Sequence, residues 1–217
     1  MILHNEEQAR AFCAELTDSA GMARLERLAA MVVKENAQQN LIAKSSEGGV
    51  WLRHLTDSAQ LLRHVSGGTE GLPQAETAPW LDLGTGAGFP GLVIAALRPD
   101  LEVVLVESRK KRVDWLVRAC EELGLGRCRT EGRRLEHVES FAAATISARA
   151  FAPLPKLFAL SARFSTRDTL WLLPKGRSAV QEVASLPAEV GRVFHVEQSV
   201  TDPDAGIVIG TGRPANA

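Results

Sequence analysis

Residues 79–91 read Pro-Trp-Leu-Asp-Leu-Gly-Thr-Gly-Ala-Gly-Phe-Pro-Gly, and this stretch decides the fold. Its first part, residues 80–83, has the length and apolar content of a short buried strand. Gly84, Gly86 and Gly88 then supply a turn at which side chains would obstruct a bound ligand. The stretch therefore predicts a strand and a glycine loop that together hold a nucleotide-type ligand.

After residue 80, apolar runs alternate with helix-length amphipathic segments, which is typical of a sheet with helices on both faces. Further runs of strand length lie at residues 103–106, 144–148, 170–173, 193–196 and 207–209. A helix is predicted from Arg109 to Leu123. The last two runs follow each other without a full helix between them, which indicates a closing antiparallel hairpin. We expect a doubly wound α/β sheet of about seven strands.

The chain before residue 68 has a different pattern, because its apolar residues recur at helical spacing. One such segment, residues 12–33, is broken near residues 19–21 and fits two helices, and another lies at residues 50–65. The stretch that follows is rich in Gly, Pro, Thr and Glu. Such a composition indicates a loop. We expect a helical subdomain at residues 1–67, a linker loop at 68–78 and the α/β domain at 79–217.

The charge of the chain is balanced overall but not locally. Its 217 residues include 25 Lys and Arg and 26 Asp and Glu, a net charge of -1, which argues against nonspecific coating of nucleic acid. Residues 109–134, however, hold nine basic and four acidic side chains, and most of the basic ones are arginine. Arginine reads phosphate and base edges bidentately, so this cluster favours a polyanionic partner.

The cysteines and the hydropathy pattern indicate a cytoplasmic protein. Cys13, Cys120 and Cys128 fit neither a paired disulfide framework nor the spacing of a metal site. The N-terminus lacks the apolar run of a signal peptide, and no stretch approaches the roughly 20 apolar residues of a membrane span. We expect reduced thiols, no metal and no membrane association.

Glu107 follows the second predicted strand, 23 positions after Gly84. At the carboxyl edge of an open α/β sheet, such a carboxylate can accept hydrogen bonds from both hydroxyls of a ribose. Residues 86–91 also satisfy the dinucleotide pattern G-x-G-x-x-G, so a nicotinamide enzyme remains open. Asp82, however, completes an Asp-x-Gly-x-Gly-x-Gly pattern, and an acid close to the loop favours a cationic ligand. This favours the sulfonium cofactor S-adenosylmethionine.

Several segments resemble, in order, those of the bacterial small-subunit ribosomal RNA guanine-N7 methyltransferases (RsmG, also called GidB). The glycine loop carries the narrowest match, because Gly88-Phe-Pro-Gly91 follows Asp82-x-Gly-x-Gly86 after a single residue, Ala87. The other matching segments are Asn40-Leu41, Arg53-His54-x-x-Asp57-Ser58, Glu107-Ser-x-x-Lys-Arg112, Ala148-Arg149-Ala150-Phe151 and Leu173-Pro174-Lys175-Gly176. Together they cover nearly the whole chain.

The resemblance implies a class I S-adenosylmethionine-dependent methyltransferase with a Rossmann-like sheet. Its expected substrate is N7 of guanine 527, in the decoding-region loop of 16S ribosomal RNA. We expect the RNA to be presented by an assembled or partly assembled small ribosomal subunit, and the enzyme to act as a monomer.

The resemblance also implies roles for individual residues. The cofactor would be bound by Gly84, Gly86, Gly88, Phe89, Glu107, Leu135, Glu136 and Arg149. The substrate RNA would be bound by Asn40, Arg53 and His54, and also by Lys175, for which the alternative is a solvated strand terminus. Arg149, His54 and Asp57 would position the guanine for transfer. For His54 and Asp57, which share a helix face, the alternative is a structural role that ties the helical subdomain to the sheet.

The chemistry implied is a direct transfer. Guanine N7 has an exposed lone pair and no proton, so neither a general base nor a covalent intermediate is needed, and the enzyme mainly aligns two atoms. The chain has no Pro-Cys or Thr-Cys pair and no Asp/Asn-Pro-Pro-aromatic motif, which other base methyltransferases use. Alternatives are a methyltransferase for another RNA base or a small molecule, a nicotinamide oxidoreductase, and a noncatalytic RNA-binding module.

Overall fold

The computed structural model describes residues 1–65 and 78–214. The predicted linker at 68–78 therefore lies, apart from Ala78, outside the described residues. Within the described ranges, no helix is long and apolar enough to cross a membrane.

In the described residues, seven strands form one sheet, as the sequence predicts. They are β1 (Trp80–Leu83), β2 (Val103–Val106), β3 (Cys128–Glu131), β4 (Thr145–Ala148), β5 (Leu170–Lys175), β6 (Phe194–Gln198) and β7 (Gly206–Thr211). Their spatial order is β3-β2-β1-β4-β5-β7-β6. The first five strands are parallel, and β7 runs antiparallel to both β5 and β6. The predicted hairpin is confirmed.

Strand β3 is the strand that the apolar pattern did not reveal. Its sequence is Cys-Arg-Thr-Glu, and none of its four side chains is fully buried. Among the strands that the structure describes, it pairs only with β2 and lies at the edge of the sheet, where one flank needs no apolar cover. A polar edge strand of this kind lacks the continuous apolar run of the central strands.

The helices lie on both faces of the sheet. They are α1 (Glu6–Ala14), α2 (Ser19–Gln39), α3 (Asp57–Ala59), α4 (Gly91–Leu97), α5 (Lys110–Glu122), α6 (Leu154–Ser161), α7 (Ala179–Ala184) and α8 (Ala188–Gly191). Helix α3 is the middle of a continuous helical segment, residues 51–64, which begins with a π-helical turn and ends with a 3-10 turn. We call this segment the 51–64 helix.

Successive side chains of each strand point to opposite faces of the sheet, and each face has its own apolar core. Trp80, Val103 and Leu105 face the core that contains α4 and α5. Leu81 and Val104 face the opposite core, which contains α6. Burial of strands on both faces explains why the central strands read as continuous apolar runs rather than as alternating ones.

The N-terminal helices pack on one face of the sheet. Their buried residues belong to the same core as α4 and α5, and Arg24 Nε donates to the carbonyl oxygen of Ala96 at 2.6 Å. Before α1, the N–H of Leu3 donates to the carbonyl oxygen of Val200, in the turn between β6 and β7, at 2.8 Å. The division into a helical subdomain and an α/β domain stays a prediction, although the two regions share one apolar core.

Candidate active site

The glycine loop after β1 is built from left-handed backbone. Gly84, Gly86 and Gly88 have φ values of +59°, +61° and +102°. A Cβ at Gly84 would lie 2.5 Å from the ring of Phe151, and one at Gly86 would lie 2.8 Å from Arg112 Nη1. Side chains are thus excluded both by conformation and by space, and the loop presents main chain to any ligand.

The buried side chain of Asp82 stabilises this loop through hydrogen bonds. The carboxylate is fully buried and accepts hydrogen bonds from Gly91 N–H at 3.0 Å and from the Ser147 hydroxyl at 2.7 Å. Burial raises the pKa of Asp82 to about 6, against these hydrogen bonds and the charge of Arg149, which lower it. Asp82 therefore acts by holding the start of α4 and strand β4 around the loop.

Glu107 lies beside the glycine loop, as predicted. Leu83 at the end of β1 pairs with Val106 at the end of β2, so the next residues of both strands are neighbours at the carboxyl edge of the sheet. The Glu107 side chain is largely buried, and its Oε1 accepts from the N–H groups of Ser108 and Arg109 at 2.7 and 2.8 Å. One carboxylate oxygen thus fixes the entry into α5.

The predicted adenine contacts lie after β3, at the same edge. Leu135 and Glu136 begin a 3-10 turn, Leu135–His137. The Leu135 side chain is buried in the apolar core, and its carbonyl oxygen accepts from Arg163 Nη2, whereas Glu136 is exposed. A ligand here would meet Leu135 through its main chain.

Phe89, His54 and Arg149 form one stacked cluster. The ring of His54 lies parallel to that of Phe89, with 5.3 Å between the centroids and 11° between the planes. The guanidinium carbon of Arg149 lies 5.2 Å from the Phe89 centroid. The cluster joins the glycine loop, the 51–64 helix and the residue that follows β4.

His54 is neutral in this cluster. Its Nδ1 lies 3.3 Å from Arg149 Nη2, and its Nε2 lies 2.9 Å from Ser46 Oγ. A guanidinium can only donate, so Nδ1 is the acceptor and Nε2 carries the proton. Burial, with the charges of Arg149 and Arg53, lowers the pKa of His54 to about 4.

The carboxylate of Asp57 also contacts the guanidinium of Arg149. Its Oδ2 lies 3.3 Å from Arg149 Nη1, while Oδ1 accepts from Gln60 Nε2 at 3.0 Å and from the Thr201 hydroxyl at 2.9 Å. His54 and Asp57 share a helix face, as predicted, and both of them contact Arg149. The guanidinium also lies 3.4 Å from the carbonyl oxygen of Arg53.

A cavity of about 620 Å³ opens next to Arg149. Its walls come from the 51–64 helix, from the loop after β4, from the end of β5 and from the turn between β6 and β7. Its lining residues include Arg53, Asp57, Arg149, Phe151, Lys175, Glu182 and Thr201. A cavity of this size at the carboxyl edge of an α/β sheet is typical of a ligand site.

Lys175 and Asn40 occupy two different surroundings. Lys175 Nζ lies 2.8 Å from Glu182 Oε2 and 2.9 Å from the carbonyl oxygen of Ala152, and its side chain is 10% exposed. It lines the cavity, and its positive charge is paired with Glu182.

Asn40 follows α2 in the left-handed conformation, and its carbonyl oxygen lies 3.5 Å from Arg112 Nη2. It therefore adjoins the glycine loop through Arg112.

Three residues of the site were missed by the sequence analysis. Gln60 lies one turn after Asp57 on the same helix, and that spacing is a signal that could have identified it. Thr201 reaches Asp57 from 144 residues away, and Glu182 reaches Lys175 from seven positions further along the chain, and neither carries a local signal. In the part of the chain that the structure describes, no group of three or more His, Cys, Asp or Glu side chains could hold a metal ion.

The strand order, the glycine loop after β1 and the carboxylate after β2 define the class I S-adenosylmethionine-dependent methyltransferase fold. Two solved structures share this fold. The ribosomal protein L11 methylase of Lactobacillus delbrueckii subsp. bulgaricus has a TM-score of 0.56 at 13% identity, over 74% of this chain and 79% of that one. An rRNA methylase of Streptococcus thermophilus has a TM-score of 0.51 at 14% identity, over 74% and 96%.

Sequence comparison identifies the family within this class. Residues 22–203 match the model of the GidB family, rRNA small subunit methyltransferase G. A ribosomal RNA small subunit methyltransferase G from Erythrobacter litoralis is 56% identical over 98% of this chain and 99% of its own length. Another, from Novosphingobium aromaticivorans, is 54% identical over 97% and 90%. The chain belongs to the rRNA small subunit methyltransferase G family.

Proposed function

We propose that this protein transfers a methyl group from S-adenosylmethionine to N7 of a guanine in 16S ribosomal RNA, namely guanine 527 of the decoding-region loop. The observation that carries the proposal is the position of Arg149. It follows β4, contacts His54 and Asp57, and lines a cavity whose wall includes Phe151, the ring that lies against Gly84 of the glycine loop. Membership of the family supports ribosomal RNA as the substrate.

The residues around the glycine loop fit the cofactor. Gly84, Gly86 and Gly88 leave their main chain open, and Glu107 has a second carboxylate oxygen, Oε2, with which to accept from ribose hydroxyls. We assign the adenine to the main chain of Leu135 and to Glu136. The cofactor, when bound, supplies an electrophilic methyl group on a sulfonium.

The cavity fits the acceptor base. Phe151 is a half-exposed aromatic ring on its wall and would stack on the guanine. Arg149 has five N–H donors and contacts three groups of the protein, so it can also donate to guanine O6, beside N7. Because N7 has a lone pair and no proton, Arg149, His54 and Asp57 need only hold the base in line.

The remaining RNA contacts are assigned by position. Arg53 is exposed at the mouth of the cavity, where it can meet phosphate. Lys175 would meet the RNA from its paired position inside the cavity. Asn40 is linked to the glycine loop through Arg112 and would contact the nucleotide next to the target. We further propose that the chain acts as a monomer on assembled or assembling small subunits, and hence in the cytoplasm.

The test is methylation of defined substrates by the purified protein. Radiolabelled S-adenosylmethionine is supplied with small ribosomal subunits that lack the modification, or with protein-free 16S RNA. Borohydride and aniline then cleave the RNA at 7-methylguanine, and primer extension locates the position. We expect cleavage at guanine 527. Label at another base would refute the N7 assignment, and binding of a nicotinamide dinucleotide in place of S-adenosylmethionine would refute the cofactor.

A further inference from the structure

A buried glutamine joins the 51–64 helix to the turn between β6 and β7. Gln60 is 1% exposed. Its Nε2 donates to Asp57 Oδ1 at 3.0 Å and to Ser199 Oγ at 3.1 Å, and its Oε1 accepts from Val200 N–H at 2.8 Å. All the polar atoms of this side chain are thus used, as burial requires. The helix that carries Asp57 is fixed to the hairpin turn.

A threonine from the same turn completes the contact. The Thr201 hydroxyl lies 2.9 Å from Asp57 Oδ1 and 2.9 Å from Ser199 Oγ. Because a carboxylate oxygen accepts, the Thr201 proton is directed to Asp57, and the Thr201 oxygen is left to accept from Ser199. The Ser199 hydroxyl also lies 3.4 Å from Gln60 Oε1, but the two donors to Asp57 Oδ1 are fixed as Gln60 and Thr201, because a carboxylate oxygen only accepts.

These contacts fix the orientation of the Asp57 carboxylate. Oδ1 is held by two donors, Gln60 and Thr201, and this leaves Oδ2 to face Arg149. If the Oδ1 contacts were lost, the carboxylate could turn about its last torsion, which is broad and weakly restrained. Arg149 would then lose one of the groups that hold its guanidinium beside the cavity.

We propose that Gln60 and Thr201 are positioning residues, which act through Asp57 to hold Arg149 in the orientation needed for methyl transfer. The proposal rests on the proposed function, since it assigns Arg149 to the acceptor base. It gives the turn between β6 and β7 a part in the reaction, although no residue of that turn needs to touch the cofactor.

Thr201→Val tests this with little change of shape, because it exchanges the hydroxyl for a methyl group. We expect kcat on small subunits to fall by about 10-fold, since misplacement of a positioning group costs about 10- to 100-fold. The Kd for S-adenosylmethionine should stay within about 2-fold of wild type. Thr201→Ser keeps the hydroxyl and should restore kcat. Unchanged kcat in Thr201→Val would overturn the proposal.

The matched control is Thr169→Val. Thr169 is a buried threonine, whereas Thr201 is half-buried, and the Thr169 hydroxyl donates to the carbonyl oxygen of Ala143 at 2.7 Å, before β5 and at the amino end of the parallel strands. This variant also loses one threonine hydroxyl hydrogen bond, here to a buried backbone carbonyl oxygen away from the site, so it should lose stability while keeping kcat. An equal fall of kcat in both variants would show a general structural effect and would overturn the proposal.

A double-mutant cycle shows whether Thr201 acts through Asp57. Asp57→Asn places an amide donor or a neutral oxygen opposite Arg149, so the guanidinium is no longer held by charge. Thr201→Val should then lower kcat by less than about 2-fold in the Asp57→Asn background, because coupled residues are non-additive. A full additional 10-fold loss would show that Thr201 acts independently of Asp57, and would overturn the proposal.

A spectroscopic measurement separates this proposal from the proposed function. The 15N side-chain resonances of Arg149, assigned by comparison with Arg149→Lys, report on its orientation without any substrate. We expect them to shift in Thr201→Val and to stay unchanged in Thr169→Val. Unshifted resonances would overturn the positioning role, whereas shifted resonances in a protein that fails to methylate RNA would overturn only the function.

Discussion

The buried histidine of the active-site cluster should make the stability of the protein depend on pH. His54 has a pKa of about 4 in the folded protein, whereas its ordinary value is 6.5. Between these values the unfolded chain binds the proton and the folded chain does not. The contribution of His54 is therefore absent above pH 6.5, and stability is lost as the pH falls from 6.5 towards 4.

The magnitude follows from the two pKa values. A difference of one pKa unit corresponds to about 1.4 kcal/mol, so at about pH 4.5 the lost free energy of unfolding is about 2.5 kcal/mol. Partial exposure of the imidazole makes this an upper value, and about 2 kcal/mol is expected. For a domain of this size, such a loss corresponds to a fall in Tm of about 4–8 °C.

The assay compares wild type with His54→Gln, which cannot titrate. Denaturant unfolding of both proteins between about pH 7.5 and 4.5 gives a difference curve in which the carboxylates shared by the two chains cancel. We expect His54→Gln to become more stable relative to wild type by about 2 kcal/mol as the pH falls. A flat difference curve, or an NMR titration of His54 centred near its ordinary pKa, would refute this reasoning.

Three substitutions test the site more directly. Gly84→Ala should abolish binding of S-adenosylmethionine in calorimetry, because the added Cβ would lie 2.5 Å from the Phe151 ring on left-handed backbone, whereas Gly48→Ala, with nothing within 4 Å, should bind normally. Arg149→Ala should lower kcat by about 100-fold and raise the cofactor Kd by less than about 3-fold, because its contacts face the cavity. Ala150→Gly should raise the free energy of unfolding by about 0.5 kcal/mol in denaturant titrations, because Ala150 has a φ of +52°.

A defined result would contradict each of these three predictions. Retained cofactor affinity in Gly84→Ala would contradict the assignment of the glycine loop. A larger effect of Arg149→Ala on the cofactor Kd than on kcat would assign this arginine to the cofactor. A loss of stability in Ala150→Gly would show that the entropy gained by the unfolded chain exceeds the strain relieved.

The parts of the site that lie close together in sequence could be predicted from it. The glycine loop follows β1 and Glu107 follows β2. Because these two strands are parallel neighbours of equal length, the loop and Glu107 lie close together at the carboxyl edge of the sheet. The shared face of His54 and Asp57 follows from helical spacing alone. In each case a local rule sets the geometry, and the structure agrees with it.

The parts that depend on distant contacts could not be predicted in this way. Thr201 contacts Asp57 across 144 residues, and no periodic pattern connects the two. Lys175 was expected to face RNA, but nothing near it in the sequence indicated that Glu182 and Ala152 would pair with its ammonium group. Strand β3 was missed because an edge strand tolerates polar residues that the strand pattern excludes.

The order of the last two strands has a consequence for biosynthesis. Strand β7 is made after β6 but lies between β5 and β6, so β6 joins the sheet only through β7. A nascent chain that ends before residue 206 therefore has no place for β6, and its hairpin turn cannot dock on the 51–64 helix. The part of the cavity wall that comes from the hairpin turn, including Thr201, is therefore expected to form only once β7 has been translated and inserted.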